Sequence, residues 1–318
     1  MTKDSLRIVY MGTPDFAVES LRALVEGGYN VVAVITMPDK PIGRHGNQLQ
    51  PSPVKQYAME HGLYIMQPSN LKDPAFVEEL RSLKADLQIV VAFRMLPQVV
   101  WQMPPLGTFN AHASLLPKYR GAAPINWAVI NGEKETGVTT FFLKHEIDTG
   151  DIIQQVKIGI SDTDNVEVVH DKLMKLSGQL VIETVNNIIA GTVKSIPQDD
   201  IKDIISTPAP KIFRDTCRIC WNQPSKKAHD FIRGLSPYPA AWTTLNGKSV
   251  KITEAFPMTD IQSQAEPGTI ATDQKTYLHV ATSDGWLDIR TLQIEGKKRM
   301  ATADLLRGMK IEDGSCFG

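Results

Sequence analysis

The chain has 318 residues, of which 42% are hydrophobic and 22% are charged, and its formal net charge is −1. This length is enough for two domains with their own cores, and the composition excludes a disordered chain. The sequence has no run of about 18 apolar residues that could span a membrane and no apolar signal segment near its start, so we expect a cytoplasmic protein.

The first half of the sequence predicts alternating strands and helices. Leu6–Met11 and Val31–Thr36 are short, β-branched, apolar runs typical of buried parallel strands. Apolar residues between them recur at helical spacing until Gly27, which predicts a βαβ unit. Leu87–Ala92 and Thr108–His112 continue the strand series. We therefore expect a doubly wound, mainly parallel α/β sheet that binds its ligands at the carboxyl ends of the strands.

The turn after the first strand argues against a nicotinamide cofactor. Pro14 and Phe16 stand where a dinucleotide-binding turn needs close backbone approach to the pyrophosphate. The phosphate-loop pattern Gly-x-x-x-x-Gly-Lys-Ser/Thr is also absent from the sequence, so nothing supports the use of ATP.

The candidate catalytic residues are Asn110, His112 and Asp148. Asn110 and His112 are two residues apart at the end of a predicted strand, and alternate strand residues share a face. An amide can donate a hydrogen bond to a reacting group while the imidazole carries a proton. Asp148, in the turn Asp-Thr-Gly-Asp, supplies a carboxylate that could orient the imidazole. This set of side chains suits acyl chemistry.

The second half predicts a linker and a β-rich domain. Val166–Ala190 reads as a long helix that closes a first domain of residues 1–191, and residues 192–209 read as a linker over the surface. Short β-prone runs within 210–318 predict a small β-barrel. Residues 1–205 hold 19 Lys and Arg against 23 Asp and Glu, or −4, whereas residues 206–318 hold 15 against 12, or +3. The mildly basic C-terminal part favours a polyanionic partner.

The three cysteines predict no disulfide framework and no metal site. Cys217 and Cys220 have Cys-x-x-Cys spacing, but no second Cys pair and no closely spaced His pair completes a set of four ligands. We therefore expect no metal.

Several motifs, in this order and spacing, resemble the folate-dependent formyltransferases. They cover nearly the whole chain. The central block identifies the chemistry, and the C-terminal segments point to the members that act on tRNA. The motifs are Gly12–Ala17, Pro51–Lys55, Asn110–Pro117, Arg120–Ile125, Thr136–Thr139, Asp148–Asp151, Trp221, Ser236–Trp242, Pro267–Ile270 and Gly296–Lys298.

The resemblance implies 10-formyltetrahydrofolate as the formyl donor and methionyl-initiator tRNA as the acceptor, with an OB-like barrel as the C-terminal domain. Apart from the resemblance, we expect a monomer. The resemblance also implies that two segments line the folate site, and that Arg44 and Lys40, on the long loop Met37–Ser52, contact the tRNA. The residues expected at the folate site are Ser114, Leu115, Leu116, Pro117, Phe93, Arg94, Met95 and Leu96.

Arg94 departs from the family pattern, because many members carry Gly there. Its guanidinium either pairs with a folate carboxylate or replaces a packing contact, and the sequence leaves both roles open.

Four other functions compete with this interpretation. Formyl transfer to a small amine such as glycinamide ribonucleotide needs the same three polar residues, but it would not need the C-terminal hundred residues. An RNA-binding protein with an inactive core is disfavoured because all three residues are present. A nicotinamide oxidoreductase is disfavoured because the dinucleotide-binding turn is missing. A hydrolase that releases formate remains an alternative.

Overall fold

The computed structural model describes residues 1–42, 48–202, 204–258 and 261–318. The helices are α1 (Phe16–Glu26), α2 (Pro53–Glu60), α3 (Pro74–Ser82), α4 (Gln98–Trp101), α5 (Pro124–Ile130), α6 (Val166–Ala190), α7 (Ser225–Gly234) and α8 (Thr302–Gly308). The first strands are β1 (Ile8–Gly12), β2 (Val31–Ile35), β3 (Lys40–Ile42), β4 (Gln48–Gln50), β5 (Ile65–Met66), β6 (Leu87–Val91), β7 (Thr108–His112), β8 (Arg120–Gly121), β9 (Glu135–Phe142) and β10 (Ile152–Gly159). The later strands are β11 (Pro208–Ala209), β12 (Ala241–Leu245), β13 (Lys248–Pro257), β14 (Ile270–Thr272), β15 (Leu278–Ala281), β16 (Trp286–Ile294) and β17 (Met300–Ala301). In these ranges no helix is both long and apolar enough to cross a membrane.

The first of two compact units is built on a seven-stranded sheet. It comprises Met1–Gly121, Thr136–Ile158 and His170–Pro208. The strand order is β10-β9-β7-β6-β1-β2-β5. The five strands from β7 to β5 in this order are parallel to one another, and β9 is antiparallel to β7. The predicted mainly parallel α/β fold is confirmed.

The carboxyl ends of β1 and β6 mark the point where the strand order reverses. From β1 the chain winds outward through β2 to β5, and after β6 it winds the other way to β7. All five residues of β1 and all five of β6 are buried, as expected for central strands with both faces covered. Ligands of such sheets bind in the crevice beside this reversal, so the fold points to the loops after β1, β6 and β7.

The second unit is an antiparallel β domain with helices. It comprises Ala122–Glu135, Gly159–Val169 and Ala209–Gly318. Its sheet has the order β12-β13-β16-β15-β14, with β17 paired to β16. Inward residues such as Val250 and Ile289 are fully buried and form one apolar cluster with α7 and α8. The antiparallel β domain is confirmed, whereas its closure into a barrel stays a prediction.

Most of the described residues of the segment 192–209 are exposed, but the segment is also joined to the first unit. Ile196 forms an isolated antiparallel bridge with Ile152, and Gln198 is only 3% exposed. The division into 1–191, 192–209 and 210–318 stays a prediction, and two segments within 1–191, namely Ala122–Glu135 and Gly159–Val169, belong to the second unit.

Candidate active site

Strand β7 places Asn110 and His112 in the middle of the first unit's sheet. Asn110 is level with Val90 of β6, and His112 is level with Thr139 of β9. Both side chains lie on one face because they are two residues apart. The Oδ1 atom of Asn110 is buried and has no hydrogen-bond partner among the described residues. A buried amide oxygen without a partner is unusual, and a bound substrate can supply the missing donor.

The imidazole of His112 is almost fully buried, and its Nε2 atom lies 2.8 Å from the backbone oxygen of Tyr119. A carbonyl oxygen only accepts hydrogen bonds, so Nε2 carries a proton in the neutral ring. The lone pair of that ring is therefore on Nδ1. The sequence did not reveal the contribution of Tyr119, because it is a backbone group seven residues away.

Asp148 lies next to the basic nitrogen of His112. Its Oδ2 atom is 3.8 Å from Nδ1 and accepts a hydrogen bond of 2.9 Å from the backbone N–H of Gly121. The backbone of Asp148 has a φ of 54°, a left-handed conformation that Asp adopts more readily than most residues. A Cβ on Gly150 would lie 1.6 Å from the backbone oxygen of Phe142, so the turn requires glycine there.

Gln198 holds this turn from the segment that the sequence predicts to be a linker. Its Nε2 atom donates to the backbone oxygens of Asp148 and Gly150, each at 2.8 Å. Its Oε1 atom accepts from Nε and Nη2 of Arg120 at 3.0 and 2.7 Å. All polar atoms of the buried amide are therefore used. No sequence signal marked Gln198, since its partners are about 50 and 78 positions away.

The first proposed folate segment follows β6. Phe93 and Arg94 are half-buried, Leu96 is buried and Met95 is 70% exposed. The Nη1 atom of Arg94 donates to the backbone oxygen of Ser69 at 2.8 Å, and its Nη2 atom donates to that of Pro68. Burial lowers the pKa of the guanidinium below its ordinary value. Arg94 thus links two loops through backbone carbonyls, which favours the packing role over the folate ion pair.

The second proposed folate segment follows β7. Ser114 is fully buried, and its hydroxyl donates to the backbone oxygen of Lys118 at 2.7 Å. Leu116 belongs to a small apolar cluster and Pro117 is also buried, whereas Leu115 is partly exposed. The side chain of Leu115 is therefore accessible to a folate, whereas Ser114, Leu116 and Pro117 are buried and shape the turn.

Within Met37–Ser52, the short strands β3 and β4 pair antiparallel. Lys40 begins β3 and is exposed. The other proposed tRNA contact, Arg44, lies outside the described residues.

The second unit carries exposed cations and an exposed Phe around the half-buried Trp242, and we call this group the Trp242 surface: Lys211, Phe213, Arg214, Arg218, Trp242 and Lys251. The guanidinium carbons of Arg214 and Arg218 lie 5.6 and 5.7 Å from the centre of the Trp242 ring. Lys251 is level with Trp242 on the neighbouring strand. Stacked guanidiniums keep their N–H groups free for phosphate oxygens. The sequence showed the charge excess of this half but not its concentration here.

The structure shows no metal centre in the part of the chain that it describes. Within those ranges, no group of three or more His, Cys, Asp or Glu side chains is arranged to hold an ion. Cys217 is buried and Cys220 is exposed, and both are free thiols.

Two family models match the sequence. The model described as "Formyl transferase" matches residues 6–185, and "Formyl transferase, C-terminal domain" matches residues 211–310.

Curated relatives match over almost the whole chain. Methionyl-tRNA formyltransferase of Bacteroides fragilis is 64% identical over 98% of both chains, and that of Phocaeicola vulgatus is 65% identical over 99% of both. The protein of the same name from Porphyromonas gingivalis is 48% identical over 98% of both chains.

Solved structures with low identity share the fold. WlaRD, a sugar 3N-formyl transferase crystallised with dTDP and 5-N-formyl-THF, has a TM-score of 0.67 at 20% identity, covering 92% of this chain and 99% of its own. HypX from Aquifex aeolicus in complex with tetrahydrofolic acid has a TM-score of 0.62 at 20% identity, covering 97% of this chain and 49% of its own.

Proposed function

The chain belongs to the formyl transferase family, on its methionyl-tRNA branch, and we propose that it transfers the formyl group of 10-formyltetrahydrofolate to the α-amine of methionyl-initiator tRNA. The observation that carries the proposal is that Asn110 and His112 share one face of β7 with the carboxylate of Asp148 3.8 Å from the imidazole, in a chain that a curated relative matches over 99% of both chains.

His112 acts as the proton carrier in this proposal. The attacking amine must lose a proton, and the unprotonated Nδ1 atom is the available base because Nε2 donates to the Tyr119 carbonyl. Protonation creates an imidazolium whose Nδ1 atom lies 3.8 Å from the Asp148 carboxylate, which is close enough for charge stabilisation without a hydrogen bond that would compete with the substrate. Asp148 therefore stabilises the charged ring, while Tyr119 determines which nitrogen takes the proton. The same Nδ1–H can return the proton to the leaving nitrogen.

Asn110 can bind both reacting partners through one amide. Its unpartnered Oδ1 atom can accept a hydrogen bond from the attacking amine, which also orients the amine's lone pair. Its Nδ2 group can donate to the formyl oxygen as negative charge develops there. Donors of this kind contribute about 3 kcal/mol at other acyl-transfer sites.

The residues beside this centre fit a folate donor. The donor supplies a formyl group already activated for transfer to an amine. Partly exposed apolar side chains after β6 and β7, namely Phe93, Met95 and Leu115, can contact its rings. Leu96, Ser114, Leu116 and Pro117 shape these two loops, and Arg94 ties the first of them to Pro68 and Ser69.

The acceptor tRNA requires cations that can approach phosphates. Lys40 and Arg44 in the first unit and the Trp242 surface in the second unit are our proposed contacts. Phosphate contacts release counterions, so binding through them weakens as salt rises. Cytoplasmic localisation and a monomeric state remain predictions.

The experiment that tests this function is a transfer assay with 10-formyltetrahydrofolate and charged initiator tRNA, followed by mass analysis of the aminoacyl group. N-formylmethionine is the expected product. Formate release without transfer would indicate the hydrolase instead, and transfer to glycinamide ribonucleotide but not to tRNA would indicate the small-amine enzyme.

A further inference from the structure

Thr13 follows β1 directly, at the reversal of strand order where ligands of this fold bind. The register aligns Met11 of β1 with Val90 of β6, and Val90 with Asn110 of β7. Thr13 follows Gly12, which is level with Val91 of β6, and His112 ends β7, so both residues lie at this edge of the sheet. Strands β1 and β7 are two positions apart in the sheet, a separation of about 10 Å.

The hydroxyl of Thr13 is buried and lacks a hydrogen-bond partner within the described ranges. Thr36, at the end of neighbouring β2, differs, because its hydroxyl lies 2.7 Å from that of Ser52. Buried polar atoms in folded proteins are nearly always paired, so an exception at a ligand-binding edge points to a partner that arrives with the ligand.

The backbone around Thr13 connects it to the acceptor side of the site. Its carbonyl oxygen accepts the N–H of Val54, the second residue of α2, at 3.5 Å. Ser52 caps the same helix by accepting from the N–H of Lys55 at 3.1 Å. The returning end of the loop that carries Lys40 is therefore fixed beside Thr13. The proposed donor loop follows β6, on the other side of β1.

We propose that the Thr13 hydroxyl donates a hydrogen bond to an ester or ribose oxygen at the acceptor end of the tRNA, while His112 and Asn110 bind the amine. Side chains that reach in from β7 and from the end of β1 can bind the amine and a neighbouring oxygen of the same acceptor end. This inference rests on the proposed function. It adds a binding residue that positions the acceptor and takes no part in the proton transfer.

Thr13→Val tests the proposal, because valine keeps the shape of threonine and removes only the hydroxyl. We expect kcat/KM for charged initiator tRNA to fall roughly fivefold, the value of one neutral hydrogen bond, with the KM of the donor unchanged. Thr13→Ser should restore most of the loss. The melting temperature of the free protein should not fall, since no hydrogen bond within it is lost.

Thr36→Val is the matched control, because it removes a hydroxyl that is already paired with Ser52. It should lower the melting temperature, and any change in kcat/KM should be similar for the donor and for the charged tRNA. An unchanged acceptor kcat/KM in Thr13→Val, or an equal rise in both KM values, would overturn the role of Thr13 alone. A wild-type protein that formylates no charged tRNA would overturn the proposed function and this inference with it.

Discussion

The backbone oxygen of Tyr119 lies 2.8 Å from Nε2 of His112, and this contact determines which imidazole nitrogen can act as a base. A carboxylate is often expected to fix the tautomer of a catalytic histidine. Here the carboxylate of Asp148 is 3.8 Å from the other nitrogen, too far for a hydrogen bond, so it stabilises the charge of the ring after proton transfer rather than fixing the tautomer before it. The division of roles between a backbone carbonyl and a side-chain carboxylate leads to the first prediction.

His112→Ala and Asp148→Asn should each lower turnover by about 10²–10⁴-fold, the usual contribution of a general acid–base group. Both act on the proton, so the KM values of donor and acceptor should change much less than kcat. Steady-state kinetics with each substrate varied in turn measures the changes in kcat and in both KM values separately.

Two matched controls separate catalysis from packing. His61→Ala removes another imidazole whose Nδ1 lies 2.9 Å from a backbone oxygen, that of Tyr57, and Asp151→Asn changes the second carboxylate of the same turn, which pairs with Lys144. Both should retain turnover within a few-fold. Near-normal turnover of a folded His112→Ala protein would refute the assigned role.

Gln198 should be a positioning residue for Asp148. Gln198→Glu keeps an oxygen for Arg120 but removes the N–H groups that bind the backbone oxygens of Asp148 and Gly150. We expect kcat to fall roughly tenfold, since one or two hydrogen bonds that fix the turn are lost. Gln198→Leu removes both sets of contacts and should be at least as slow.

A purely structural role for Gln198 would show a different pattern. It would lower the melting temperature of Gln198→Glu while leaving kcat and the pH profile of kcat unchanged. That result would show that Gln198 does not position Asp148 for catalysis.

Arg94→Met should lower the free energy of unfolding by about 1–3 kcal/mol, because the guanidinium hydrogen bonds to the backbone oxygens of Ser69 and Pro68 are lost. The KM of the donor should change by less than about threefold. Arg81→Met is the control, because Arg81 is exposed and pairs with Glu78 on its own helix. A tenfold rise in the KM of the donor at unchanged stability would instead support an ion pair between Arg94 and a folate carboxylate.

Asp39 gives a prediction for pH. Hydrogen bonds from Lys55, at 2.6 Å, and then from Gln67 hold the pKa of its carboxyl below the ordinary value. A lowered pKa in the folded state adds stability above the unfolded pKa of about 3.9, and that stability is lost as pH falls through the folded value.

Asp39→Asn should therefore be less stable than the wild type by a constant amount above about pH 5, and the difference should shrink below about pH 4. Urea unfolding across this range measures it. Adding Lys55→Met to both proteins should remove most of the difference, since the main partner is then gone. A difference that grows on acidification would contradict the assignment.

The sequence predicted those parts of the site that depend on local pattern. Alternation in Thr108–His112 gave the strand and the shared face of Asn110 and His112, and β-branched apolar runs gave the central sheet. It could not predict Gln198, whose polar contacts join residues far apart in the chain. Proline and acidic residues around that position are typical of linkers, and only tertiary packing makes it buried.

Arg94 shows a second limit of the sequence. A cation in place of a family glycine suggested a ligand contact, but a guanidinium can equally bind backbone carbonyls of a neighbouring loop. The choice depends on where residues 68 and 69 lie, and no local pattern encodes that position. For the same reason, the sequence does not predict that Arg214 and Arg218 both lie over the ring of Trp242.

The most direct test of the account compares three acceptors with one donor. Initial rates of formyl transfer from 10-formyltetrahydrofolate should be measured for methionyl-initiator tRNA, methionyl-elongator tRNA and free methionine, with the wild type and with His112→Ala. We predict efficient N-formylation of the initiator alone, and its loss by at least about 10²-fold in the variant. No formylated product from the initiator, or equal use of free methionine, would contradict the account.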